Sequence, residues 1–431
     1  MSPPMESTAV DRAADRARIA ELDAEITALE ATHTQLTETL DARRRDRNVV
    51  QNRLDAYVYP VLTIPNETLS EILLQCIPVY PKCPPLFGNY SPTNLTQVCG
   101  HWRRVAHSTP ALWRAIDFLS RGWYGSHRVP SHTAMLERAE AWLAASRALP
   151  VSLVLLYGPS QSIRERLVSL LVASSSRWEY LALSLPWATD AELHTLTAAP
   201  APQVRAIDLR LMRGATAAFP LFDNHPLELR SVRVHVYPSA LADVHLFLPW
   251  SQLTHLYIEE VTVAVLTVVL QHTTHLTHLR LSLSRIEDDP SLTAAPCAFI
   301  LPQLRHLIVH FGSDSEDSDV PSAGLALGFV EVFRAIRAPG LQRLYLDEDL
   351  LHPESHPRMN ILIAFIDALA CSKLEELLVA YSEHTLVDYR DALPGIASII
   401  AHPEPLADGQ IGQNWNWAAW DLIALNGAGR Y

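Results

Sequence analysis

Between about Asp11 and Tyr57 apolar residues recur in alternating steps of three and four: Ile19, Leu22, Ile26, Leu29, Leu36, Leu40, Val50, Leu54 and Tyr57. That is the heptad rhythm of a helix with a narrow apolar seam. His33, Arg43 and Arg47 fill the seam positions between them, and no Gly or Pro interrupts before Pro60. The pattern predicts one long helix over 11–59, preceded by a disordered 1–10. A helix this polar does not bury itself. It pairs as a coiled coil, giving a homodimer, or docks on the rest of the chain, or stands as a helical hairpin arm or a solvated extension.

Pro60 ends the helix, because proline has no amide hydrogen to donate. A compact helical segment is expected over 61–118, interrupted by the proline-rich insert Pro78–Pro85, which reads as a loop.

From 131 to 402 a different pattern takes over, apolar-x-x-apolar-x-apolar. It opens at Trp178, Val204, Leu229, Leu253, Leu276, Leu304, Leu341 and Leu374. The first five steps are 23 to 28 residues long, within the leucine-rich-repeat range. Helical patterns lie between, as at Ser162–Ser174, Val261–Gln271, Leu325–Arg337 and Met359–Leu369. One short strand and one helix per repeat predict an α/β fold: a curved, leucine-rich-repeat-like solenoid with parallel strands. An acidic loop, Gly312–Asp319, lengthens one repeat. Residues 403–431, with Trp415, Trp417 and Trp420, read as a C-terminal cap or tail.

In such a solenoid the third and fifth positions of each pattern turn away from the leucines. They form a target-binding face of His255, Tyr257, His278, Arg280, His306, Arg343 and Tyr345. Histidines on adjacent strands stack about 4.8 Å apart. The column suits an acidic or phosphorylated partner and implies pH sensitivity near 6 to 7. Zinc ligation is the weaker reading, because no Cys or carboxylate cluster joins the histidines.

The net charge of −13 disfavours general nucleic-acid binding. Five cysteines without a CxxC pair point to a reducing compartment, cytosol or nucleus. No apolar run is long enough to span a membrane. There is no nucleophile elbow, Walker loop or dinucleotide fingerprint, so neither enzyme activity nor a cofactor is expected.

The segment 61–118 carries, in order, Ile64-Pro65, Glu67, Leu69, Ile72-Leu73, Val98-Cys99, Trp102 and Leu112-Trp113. This series resembles an F-box, particularly those of mushroom-forming fungi that join a heptad helix to a degenerate leucine-rich region. The proline-rich insert departs from a minimal F-box. The resemblance implies binding to an SKP-type adaptor and through it a cullin. Pro65, Leu69, Ile72, Leu73, Val98 and Trp102 would contact or support that adaptor. The expected role is a non-catalytic substrate receptor of a ubiquitin ligase. The alternative is an interaction scaffold that serves no ligase.

Overall fold

The computed structural model describes residues 9–56, 63–88, 90–118, 131–155, 163–184, 189–211, 228–236, 248–261, 263–283, 298–311, 332–351 and 358–403. The acidic loop 312–319, the C-terminal tryptophans, the start of the 325–337 helix and most of the 1–10 segment lie outside the described residues. The chain divides into two units, 1–68 and 69–431.

The first unit is dominated by α1, Ala9–Asp55, a 47-residue helix with no buried residue. It starts two residues before the heptad pattern and ends at Asp55. Freedom from Gly and Pro lets the backbone ladder run unbroken. Its threonines tuck their hydroxyls back onto the preceding turn, as Thr27 does onto the Asp23 carbonyl at 2.8 Å.

The second unit begins within α2, Asn66–Gln75, which buries Leu69 and Leu73. A 3-10 turn over Pro92–Gln97 leads into α3, Gly100–Ser108, and a second turn, Pro110–Trp113, leads into strand β1, Ala115–Asp117. The elements that follow are α4 (His132–Ala145), β2 (Val151–Leu155), α5 (Arg164–Ser174), β3 (Trp178–Ser184), α6 (Asp190–Thr197), β4 (Ala206–Leu211) and β5 (Ser231–Val236). Then come β6 (His255–Val261), α7 (Val263–His272), β7 (His278–Leu283), β8 (Phe299–Ile300), β9 (His306–Phe311), β10 (Ile336–Arg337) and β11 (Arg343–Asp347). The last are α8 (Arg358–Ala368), β12 (Glu376–Ala380), α9 (Leu386–Ala392) and β13 (Ser398–His402).

Eleven strands form one sheet in the order β1-β2-β3-β4-β5-β6-β7-β9-β11-β12-β13, and β8 pairs with β10 apart from it. The pairings between neighbours are parallel. All eight apolar-x-x-apolar-x-apolar segments run into strands of this sheet. Three strands were not foreseen: β1, β2 and β13. Ile336–Arg337, expected to end a helix, pairs instead with Phe299–Ile300.

The repeat arises from the alternation of side chains along a strand. In β6 and its approach, Leu253, Leu256 and Ile258 are buried on one face. The same positions one strand on, Leu276, Leu279 and Leu281, are fully buried. The register holds Leu256 beside Leu279 and Leu279 beside Leu307, so leucine stacks on leucine across the sheet. The backbone fixes that register. The Thr254 carbonyl accepts from the amides of Thr277 and His278, and the Thr277 carbonyl from those of Arg305 and His306.

The proline-rich insert is built into this unit. The Leu86 amide donates to the Asp117 carbonyl at 3.1 Å, and the Asp117 amide to the Pro84 carbonyl at 3.0 Å. Ser152 Oγ donates to the Pro81 carbonyl at 2.8 Å. Tyr80 donates to Glu179 at 2.6 Å, with the Arg114 guanidinium 3.3 Å above its ring. A loop expected from its prolines thus packs on β1–β3 from the face opposite the leucines. Among the described residues no helix is long and apolar enough to cross a membrane.

Candidate interaction surfaces

The third positions form a continuous rung: Ser231, His255, His278, His306, Arg343, Glu376 and Ser398 are successive register partners. The His255 and His278 rings stack at 4.2 Å and 15°, and His306 meets His278 edge-on at 4.3 Å and 80°. Arg343 continues the rung and pairs with Glu376 at 3.1 Å.

Threonines set the ring orientation. Thr277 Oγ1 donates its single hydrogen to the Thr254 carbonyl at 2.9 Å and lies 2.9 Å from His278 Nδ1. With that hydrogen committed, Nδ1 must be the donor, which selects one neutral tautomer. Thr254 does the same between the Arg230 carbonyl and His255 Nδ1. Burial pushes the pKa of His255 and His306 down to about 4. Burial and the adjoining histidines push His278 down to about 3. The expected sensitivity of this column near pH 6 to 7 is therefore corrected: the folded rings are neutral throughout that range. Among the described residues no group of three His, Cys, Asp or Glu is arranged to hold a metal ion.

The fifth positions differ from the expected open surface. Tyr257, Arg280 and Tyr345 are 5%, 8% and 1% exposed, so they offer a partner almost no area. Tyr257 is held between Arg233 and Arg280, whose guanidinium carbons lie 4.8 and 4.4 Å from its ring centre. Tyr345 donates to Asp347 at 3.0 Å and packs in a cluster with Ile308, Leu378 and Ala380. The sheet thus has a second core on the face assigned to the target. The motif sets only which face a residue occupies, not whether that face is covered.

Two polar networks on this unit were not found from the sequence. On β4–β6, Arg233 is paired with Glu259, and His235 Nδ1 lies 2.8 Å from the same carboxylate. Buried Asp208 sits 3.8 Å from Arg233. Burial raises the Asp208 pKa, with Arg233 and Arg210 opposing. For Glu259 burial also disfavours charge, but the His235 hydrogen bond and the arginines outweigh it and hold the carboxyl well below the usual range. After β11, the fully buried Glu348 accepts from Tyr389 Oη at 2.7 Å and the Glu383 amide at 2.7 Å, and meets His384 Nδ1 at 3.2 Å. The register partners Asp208, Arg233 and Tyr257 could have signalled the first network. Nothing in the repeat pattern signals the second.

The residues expected to meet an adaptor divide into two sets. Leu69 and Leu73 are fully buried, so they build the chain's own core and have no surface to offer. Ile72 and Val98 are 39% and 60% exposed, and Pro65 is exposed. Trp102 is half-buried, and its indole Nε1 is buried without a hydrogen-bond partner. Its backbone amide lies 3.5 Å from Cys99 Sγ, which caps α3. Trp113 is an anchor: it donates to the Ala106 carbonyl at 2.8 Å and meets Trp142 edge-on at 5.3 Å.

One strand per repeat, leucines in register and parallel neighbours in chain order define an α/β repeat fold, leucine-rich-repeat-like in its plan. Among solved structures, the leucine-rich repeat-containing protein LegL7 from Legionella pneumophila aligns over 72% of this chain and 89% of its own, at 18% identity and a TM-score of 0.38. No protein-family model and no curated protein matches the chain.

Proposed function

We propose that this chain is a non-catalytic substrate receptor: its F-box-like segment binds an SKP-type adaptor, and through it a cullin, while the repeat sheet binds a target protein. The observation that carries this reading is the sorting of the motif residues. Leu69, Leu73, Leu112 and Trp113 turn inward and make a folded segment, while the apolar Ile72 and Val98 are left in solvent. Exposed apolar side chains on a folded helical segment suit a helix-in-groove contact. For the target, the rung of His255, His278, His306 and Arg343 supports docking. At neutral pH it presents uncharged imidazole edges, so its specificity comes from hydrogen bonding and shape, with Arg343 as the cation. The cytosol and the nucleus are the compartments that fit such a role.

The test is a pull-down of the full chain with purified adaptor, comparing wild type with an Ile72→Glu, Val98→Glu double variant. Both positions are exposed, so the variant keeps the fold, whereas Leu69→Ala would open the core. Capture of the wild type but not the variant is expected. Equal behaviour of the two, bound or unbound, would refute the adaptor reading.

A further inference from the structure

The seam of α1 is uncovered. Ile19, Leu22, Ile26, Leu29, Leu36, Leu40, Val50 and Leu54 are 40% to 69% exposed, and no residue of the helix is buried. So much apolar surface in heptad order is a half-interface, and the charges interrupting it specify the other half.

In heptad terms, Arg12, Ile19, Ile26, His33, Leu40, Arg47 and Leu54 occupy one core position, a. Asp15, Leu22, Leu29, Leu36, Arg43 and Val50 occupy the other, d. A parallel pair in register sets like against like: Arg12, Asp15, His33, Arg43 and Arg47 would each face themselves inside the seam. At its edges Glu25 would face Glu30, against favourable contacts of Arg18 with Asp23 and Asp11 with Arg16.

An antiparallel pair sets a against d. When the two helices overlap over nearly their whole length, Leu22 meets Leu40, Ile26 meets Leu36 and Leu29 meets His33. Asp15 then falls opposite Arg47 at both ends, so two buried like-charge layers become two opposite-charge layers. At the edges Arg18 faces Asp46 and Asp11 faces Arg53. The costs are Arg16 against Arg44, Glu30 against itself at the centre, and Arg43 and Arg12 against the apolar Ile19 and Val50. Long arginine stems cover such neighbours while the guanidinium reaches solvent.

We infer that α1 is a self-association element that pairs antiparallel with α1 of a second copy, with Asp15 set against Arg47.

The test uses the full chain. Sedimentation velocity across the micromolar range is expected to show a dimer, which Leu22→Asp with Leu40→Asp converts to monomer. Both positions are exposed on α1, so the rest of the chain keeps its fold. Orientation is read from Ile26→Cys and Leu36→Cys, oxidised separately and mixed, against the unsubstituted chain as background. Only the mixture should cross-link, because within one variant the two thiols lie about 15 Å apart along the axis. Asp15→Arg and Arg47→Asp should each weaken the dimer, and together restore it. A monomer at every concentration, a dimer that survives the Leu22 and Leu40 changes, or each cysteine variant cross-linking alone would overturn the inference.

Discussion

The neutral histidine rung makes a quantitative prediction about acid. A histidine whose folded pKa lies below its unfolded value takes up a proton on unfolding, so acid favours the unfolded chain. Its contribution to stability is complete above the unfolded pKa of 6.5 and is lost as pH falls from there toward the folded value. His255 and His306 stand at about 4 and His278 at about 3 when folded. Lowering the pH from about 7.5 to about 5 then costs roughly 2 kcal/mol per ring at full linkage. The rings are only half-buried, and solvent screening reduces this to roughly 1 kcal/mol each, or about 3 kcal/mol for the rung. This window lies above the titration of ordinary carboxylates, and comparison with a rung variant separates the rung from the chain's other titrating groups. The assay is urea unfolding at the two pH values, followed by tryptophan fluorescence, on wild type and on His278→Gln. The wild-type midpoint should drop on acidification, and the variant's drop should be smaller by about 1 kcal/mol equivalent. An unchanged wild-type midpoint, or an identical drop in the variant, would refute the argument that these rings are held neutral by burial.

Three further outcomes follow from the packing. Leu279→Ala, fully buried in the middle of the leucine stack, should cost about 2–5 kcal/mol in a denaturation midpoint measurement, by lost burial and the cavity left behind. Glu348→Ala strands the Tyr389 hydroxyl and the Glu383 amide, each worth about 1–3 kcal/mol when left unpaired, and should raise hydrogen exchange at Glu383. Alkylation of the native chain, read by mass spectrometry, should label exposed Cys76 quickly and leave Cys83 untouched, because burial pushes the Cys83 thiol up to about 12.

What was legible in the sequence is what depends on short-range period. The leucines that seed each strand, the heptads of α1 and the helices at Arg164–Ser174 and Arg358–Ala368 all follow from spacing within a turn or a strand. What was not legible depends on contacts between distant residues. Strand β1 is three residues long and exists because Val151–Leu155 offers it a ladder. Tyr257 and Tyr345 were read as surface, since alternation identifies a face but not what covers it. The F-box resemblance names Leu69 as a residue that contacts or supports an adaptor; its full burial gives it a place in the chain's own core, which the motif alone does not disclose. Glu348 follows a strand as one acidic residue among several, and only the chain's return through Glu383 to Tyr389 makes it a buried acceptor.

The proline-rich insert joins the two themes of the molecule. A parallel sheet built from repeats has two open ends, and an exposed strand edge invites pairing with other chains. Here the first strand is only three residues long, and its outer edge is met by the Pro84–Leu86 backbone. Tyr80, Arg114 and Glu179 then fasten the insert across β3, and Arg205 reaches the same carboxylate at 3.0 Å. A minimal F-box has no need of these residues; a sheet that must end does. The insert thereby ties the stretch between α2 and α3 to the first strands of the sheet and covers the edge at which the sheet begins.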